Sequence, residues 1–263
     1  MALMAAAGDI TPMPDCAIFA DTQWEPKAVY DWLDWLEPQL PFPVYRVTAG
    51  DLWQSATRIR RTKDGQRTYI STGIPIYIAT EEGDGIAIRK GIGKRHCTRT
   101  FKIEPVNRKV KELCGIKRVN NKLPPAATVW VGISADEAHR AKPSPLPWIT
   151  RRHPLLESDL DRLDCLEWMA DHGFPEPPRS ACIFCPFRDD ESWMALAPTE
   201  FANVVAMESQ LQLSYGNTSE FRGKPYFHDS LKPLCEVVFH PAPKSTVRQR
   251  RLFSAECEGM CGV

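Results

Sequence analysis

The residues of this chain best suited to chemistry are four cysteines: Cys97, Cys165 and the pair Cys182 and Cys185. The last two form a C-x-x-C inside Ser180-Ala181-Cys182-Ile183-Phe184-Cys185-Pro186-Phe187. Two thiolates on a tight turn can grip one metal ion or one iron–sulfur cluster, and two more sulfurs complete a four-sulfur shell. The apolar neighbours Ile183, Phe184, Pro186 and Phe187 suit a site that excludes water. Cys165 lies in Leu163-Asp164-Cys165-Leu166-Glu167-Trp168, on a predicted helix, and Cys97 opens Cys97-Thr98-Arg99-Thr100-Phe101-Lys102. Such a centre requires all four sulfurs to meet in one pocket. Four thiolates suit a four-iron–four-sulfur cluster or a zinc ion, and the spacing leaves both open.

Six cations gather around Cys97: Arg89, Lys90, Lys94, Arg95, Arg99 and Lys102, interleaved with Gly91 and Gly93. Glycines let backbone amides approach an anion, and the cations neutralise phosphate or sulfate oxygens. The bland alternative is a solvated basic loop. Cations beside Cys97 would also favour its thiolate. The stretch from Gly132 to Arg140 leaves a strand and turns polar, so Arg140 is a candidate for an anionic group. Ser134 or Asp136 capping a short helix is the competing role, and both can hold together. Asp21-Thr22, at a strand end, can contact a ribose hydroxyl or a magnesium ion, or cap a helix. His139, His153 and His172 have no spacing that makes a zinc pair. Cys16 reads as a small core hydrophobe, Cys114 and Cys235 as structural.

The elements that must position these groups follow from periodicity and punctuation. Residues 16–20, 43–47, 74–79 and 128–133 are short apolar runs that predict strands. Val29, Leu33 and Leu36 carry helical spacing after Pro26, and Asp51 can cap a helix from Leu52. Further helices are predicted over 104–113, 158–170, 189–196 and 198–213, with Gly115 and Gly173 as stops. Strands alternating with helices imply an α/β fold, a mostly parallel sheet flanked by helices, with ligands outside the carboxyl ends of its strands. The 263 residues fit one large α/β domain, or one with a small added lobe. The expected division is a nucleotide-binding-like α/β domain over 1–156 and a helical, cysteine-bearing part over 157–263 packed on it. Twenty-three prolines, in clusters, mark connections. Zero net charge argues against a generally basic nucleic-acid binder. No apolar run of about 18 residues appears, and the first residues lack the basic flank of a signal peptide. A cytoplasmic location follows as the expectation, in which the nine cysteines serve metal, cluster or catalytic uses.

Taken together, these segments resemble the phosphoadenosine phosphosulfate reductase family, within the adenine nucleotide α-hydrolase-like, PP-loop proteins, with phage-encoded members most similar. Phe19-Ala20-Asp21-Thr22-Gln23-Trp24-Glu25-Pro26 is similar to the family's strand-end aspartate–threonine motif. Cys97 to Val106 is similar to its cysteine–arginine–lysine–proline segment, Gly132 to Arg140 to its glycine-led loop ending in arginine, and Cys182 to Cys185 to the C-x-x-C of cluster-bearing members. The likeness covers most of the chain and rests on the order of the motifs.

The resemblance implies a Rossmann-like fold and an adenine nucleotide, with magnesium, bound at the strand edge. Asp21, Thr22, Arg95, Arg99, Lys102 and Arg140 would face nucleotide, phosphate or sulfate. A four-iron–four-sulfur cluster would sit on Cys97, Cys165, Cys182 and Cys185, with Cys165 replacing the adjacent cysteine that cluster-bearing members pair with Cys97. The implied reactions are reduction of an activated sulfate or sulfur transfer. Their partners would be a thiol-reductant protein or a nucleic-acid substrate. Ala255-Glu256-Cys257-Glu258-Gly259 is loosely similar to the family's nucleophilic tail, which makes Cys257 the candidate nucleophile. Members open with a strand and a serine- and glycine-rich phosphate loop that has no match here. Met1 to Gly8 looks like the end of the helix that follows that loop, so the α/β domain is expected to be N-terminally incomplete. Without that cradle, the second expectation is a non-catalytic nucleotide- or nucleic-acid-binding module stabilised by four-cysteine zinc.

Overall fold

A computed structural model describes residues 1–66, 68–70, 73–82, 87–118, 124–216 and 223–240. Along the chain run α1 (Ala2–Ala7), β1 (Ala17–Asp21), α2 (Lys27–Leu36), β2 (Val44–Thr48), α3 (Leu52–Thr57), β3 (Ile59–Arg61) and β4 (Thr68–Ile70). There follow β5 (Tyr77–Glu82), β6 (Ala87–Ile92), α4 (Glu104–Leu113), β7 (Ala127–Trp130), β8 (Ile149–Arg152) and α5 (Pro154–Glu157). The remaining elements are α6 (Arg162–Asp171), α7 (Asp190–Met194), α8 (Pro198–Gly216) and β9 (Lys224–Tyr226). This is a mixed α/β fold.

Local chemistry accounts for most of these elements. In α2, Val29, Leu33 and Leu36 form the buried stripe that their spacing predicts. Asp51 caps α3 by accepting from Gln54 N, and Asp189 caps α7 by accepting from Ser192 N. Asp161 and Asp164 form a reciprocal capping box at the start of α6. Gly115 and Gly173 follow α4 and α6 with φ of 65° and 69°, a left-handed conformation that costs glycine little.

The sheet differs from expectation. Among the described residues parallel pairing is confined to two short pairs, β1 with β2 and β7 with β8. The predicted third strand begins late: Ile74 and Ile76 are buried in an irregular approach to β5, which pairs antiparallel with β6 and β9. The glycine-rich basic stretch is largely strand β6, and its glycines serve packing. A Cβ on Gly93 would lie 3.1 Å from the Ile74 carbonyl oxygen, and the Gly93 N–H donates to Ile76 O at 2.7 Å. Its amide is therefore committed to the chain and does not cradle an anion.

The main core joins both halves of the sequence. Leu52, Trp53, Ile74, Ile76 and Phe101 pack with Ile183, Phe184, Trp193, Leu211 and Phe227. A second cluster of Met4, Ala5, Ile10 and Leu155 lies under α1 and α6, with Cys165 and Trp168 against it. Glu208 of α8 crosses the main core and accepts from the backbone N–H groups of Phe227 at 2.8 Å and Leu234 at 2.6 Å. Burial raises its carboxyl pKa. Replacing it leaves two buried donors without an acceptor, so Glu208→Ala is expected to lower stability by about 2–4 kcal/mol, read from urea unfolding.

Candidate functional site

The site forms where three distant stretches meet at the carboxyl end of β1. The first is the turn after β1, Thr22 to Glu25. The second is a π-helix, Thr98–Ile103, leading without a break into α4. The third is the C-x-x-C turn. π-Helical turns are rare and recur at functional sites, because the extra residue per turn re-aims side chains. Here Phe101 and Lys102 face inward while Arg99 stays on the surface. The entry to the π-helix is anchored by Gly73, whose carbonyl accepts from His96 N at 2.8 Å and Cys97 N at 2.9 Å.

A buried ion pair links all three stretches. Lys102 Nζ lies 3.3 Å from Glu25 Oε1, with the side chains 11 % and 0 % exposed. Ser180, just before the C-x-x-C, donates its hydroxyl to the other Glu25 oxygen at 3.1 Å. Ile183 N donates to Trp24 O at 2.8 Å, and the Trp24 and Phe184 rings meet edge-on at 5.7 Å. Trp24 is itself held by its indole N–H to Asp51 at 2.7 Å. Thr22, fully buried, shares a 3.1 Å hydrogen bond between its hydroxyl and Cys182 Sγ.

Around this frame Cys97, Cys182 and Cys185 line a single small cavity, together with Thr22, Arg95 and Lys102. Apolar Ile74, Phe184 and Phe187 form the rest of the wall. Arg95 donates to the Thr98 hydroxyl at 2.7 Å and lies over the Phe187 ring at 5.6 Å. Burial, then the Glu25 charge, push the Cys182 thiol up to about 12, opposed by Lys102 and the Thr22 hydrogen bond. At neutral pH Cys182 is therefore a protonated thiol unless a metal takes the place of its proton.

No known family, curated protein or solved structure matches this chain.

Six of the predicted residues come together and four do not. Cys97, Cys182 and Cys185 share the cavity with Thr22, Arg95 and Lys102. Cys165 does not join them. It faces a separate apolar cavity of about 190 Å3 bounded by Met1, Leu3, Trp32 and Trp168. The reason is helical geometry: the apolar side of α6 packs under α1, and Cys165 goes with it. Burial raises its thiol pKa, as suits a core hydrophobe. Arg99 is exposed and paired with Glu104 at 3.0 Å, while Arg140 pairs with Glu137 within the 3-10 turn after β7. Asp21 accepts from Gln23 N at 2.6 Å and the Tyr30 hydroxyl at 2.8 Å, which makes it a turn-former. Cys257 lies outside the described residues.

A four-sulfur shell including Cys165 thus does not fit this structure, whereas a centre with three protein sulfurs does. Among the described residues no three His, Cys, Asp or Glu side chains converge as tightly as one bare ion requires. A cluster spreads its ligands more widely than a single zinc does, so the looser arrangement suits the larger group better. Glu25 and Ser180 escaped sequence reasoning as site residues; the only signal was a glutamate set between Trp24 and Pro26 just after a strand end. Glu25→Ala strands the Lys102 charge and is expected to cost about 3–5 kcal/mol. The double variant Glu25→Gln with Lys102→Met should lose much less than the two single changes summed, as a double-mutant cycle in urea will report.

Proposed function

We propose that this chain is a phosphoadenosine phosphosulfate reductase-like, PP-loop-type enzyme that acts on an adenine nucleotide in sulfur chemistry, with a metal centre on Cys97, Cys182 and Cys185. One observation carries the reading: three thiols and two cations from distant stretches share one cavity at the end of β1. Ligands of α/β proteins bind outside strand carboxyl ends, and the β1–α2–β2 parallel unit is consistent with a Rossmann-like, adenine nucleotide α-hydrolase-like core. An iron–sulfur cluster held there would supply electrons or sulfur, for reduction of an activated sulfate or for sulfur delivery to a nucleic acid. Thr22 orients Cys182, and Glu25 orients Lys102. Arg95 and Lys102 offset the charge of thiolates or of a nearby phosphate or sulfate. The aromatic wall excludes water. Cys257 is the proposed thiol for the reductive version, with a thiol-reductant protein to regenerate it and magnesium to accompany the nucleotide.

A second reading, a zinc-stabilised module that binds a nucleotide or nucleic acid without turnover, has its own support. Arg99 and Arg140 have carboxylate partners within the chain, and Asp21 is engaged by Tyr30. These contacts tie the groups into the fold, while Arg99, 79 % exposed, still turns guanidinium N–H groups toward solvent where a phosphate can approach.

Anaerobic purification followed by iron, sulfide and zinc analysis tests the centre. Cys97→Ser, Cys182→Ser and Cys185→Ser should each cut bound metal by about tenfold or more, with Cys165→Ser retaining the full amount. Metal content that ignores Cys182 and Cys185 would sink the proposal. Iron with equimolar sulfide supports the enzyme and zinc alone the binding module; pyrophosphate release from ATP then separates turnover from binding.

A further inference from the structure

Behind the C-x-x-C turn sits a cation with no acidic partner among the described residues. Arg188 is 8 % exposed. Its guanidinium donates to three backbone carbonyls: Ala181 at 2.8 Å, Ser192 at 3.2 Å and Cys182 at 3.3 Å. Its backbone N–H donates to Cys185 O at 3.1 Å, and the Trp193 ring lies 5.8 Å away. Among the described residues no carboxylate lies within 4.0 Å of this guanidinium. The nearby acids are engaged elsewhere: Asp189 with Arg179 and Ser192 N, Glu25 with Lys102 and Ser180.

A guanidinium stays charged even when buried, and a buried charge needs a counter-charge close by. Carbonyl dipoles meet part of that need. Burial lowers the pKa of the Arg188 guanidinium; negative charge on Cys185 would do most to offset that, Arg179 adds to it, and Cys182 and Glu25 offset less. A neutral dithiol or a disulfide offers Arg188 nothing. A divalent ion or an iron–sulfur cluster on three thiolates carries net negative charge.

We infer that Arg188 is the built-in counter-cation of an anionic metal–thiolate centre on Cys97, Cys182 and Cys185, a positioning residue that favours the metal-bound form through its charge. The inference rests on the metal-centre reading above and adds the sign of the charge that the site is built to hold. It also separates two roles for Arg188. As a carbonyl clamp it needs only donors; as a counter-cation it needs its charge.

The full chain, anaerobic, is reconstituted with ferrous iron and sulfide, and loss of the cluster to a chelator is followed by the sulfur-to-iron charge-transfer absorption. Arg188→Lys keeps the charge and loses the fork; Arg188→Gln keeps donors and loses the charge. The Lys variant should lose its cluster within about threefold of the parent's rate, and the Gln variant roughly 10–100-fold faster. Equal rates for the Lys and Gln variants overturn the inference and leave a clamp. A parent chain without the iron–sulfur band, or one whose band survives Cys182→Ser, instead defeats the metal-centre reading.

A second measurement needs no substitution and stands if a variant fails to fold. The metal-free chain is alkylated with anionic iodoacetate or neutral iodoacetamide, and peptide mass spectrometry compares Cys185 with exposed Cys114. A cationic site draws the anionic reagent, so its preference should be several-fold greater at Cys185. Equal ratios at the two cysteines overturn the inference.

Discussion

Glu25 and Lys102 meet where there is almost no water, and that contact ties the turn after β1, the π-helix and the C-x-x-C turn to one another. In such surroundings each charge is tolerable only because the other is present, so the pair acts as a registration pin more than as a source of net stability. Its distances set those of the sulfurs. Lys102 is five residues from Cys97 on the same helical segment, and Glu25 receives Ser180 two residues before Cys182. Losing the pair would loosen the π-helix against the other two stretches, which the Thr22–Cys182 and Ile183–Trp24 hydrogen bonds still join.

Around the pin the chain supplies an aromatic frame and two guanidinium clamps. Trp24, Trp53 and Phe227 surround Phe184, which sits between the two cysteines of the turn. Arg188 grips the front of the turn through the carbonyls of Ala181 and Cys182, and Arg179 reaches Phe187 O at its end. A C-x-x-C on an exposed loop would be mobile; this one is walled by rings and laced by donors. The consequence is a site whose geometry is fixed before any ligand arrives, in surroundings that raise the cost of a bare thiolate.

Much of the local structure was legible in advance. The strand ending at Asp21, the stripe of α2, the Asp51 cap, the span of α4 and the stop at Gly173 each follow from interactions within a few residues. Long-range pairing was not. The alternation of apolar segments suggested one parallel sheet, yet β5 found its partners in β6 and in β9, nearly 150 residues away, and its buried approach through Ile74 and Ile76 carried the same apolar signal as a strand. The π-helix was equally hidden, since one extra residue per turn leaves no mark in composition.

The candidate site divides the same way. Residue type alone marked the C-x-x-C, Cys97 and the nearby cations as a group with metal and anion chemistry, because thiols and guanidiniums carry that chemistry wherever they sit. Which of them meet depended on the fold. Cys165 followed the apolar side of α6 under α1, and Arg99 and Arg140 turned to nearby glutamates. Glu25 and Arg188 gained their importance from neighbours 77 residues off and from a turn that only folding encloses. Sequence determines what each side chain can do; distance and exclusion of water, which are properties of the packed chain, decide which of those capacities is used.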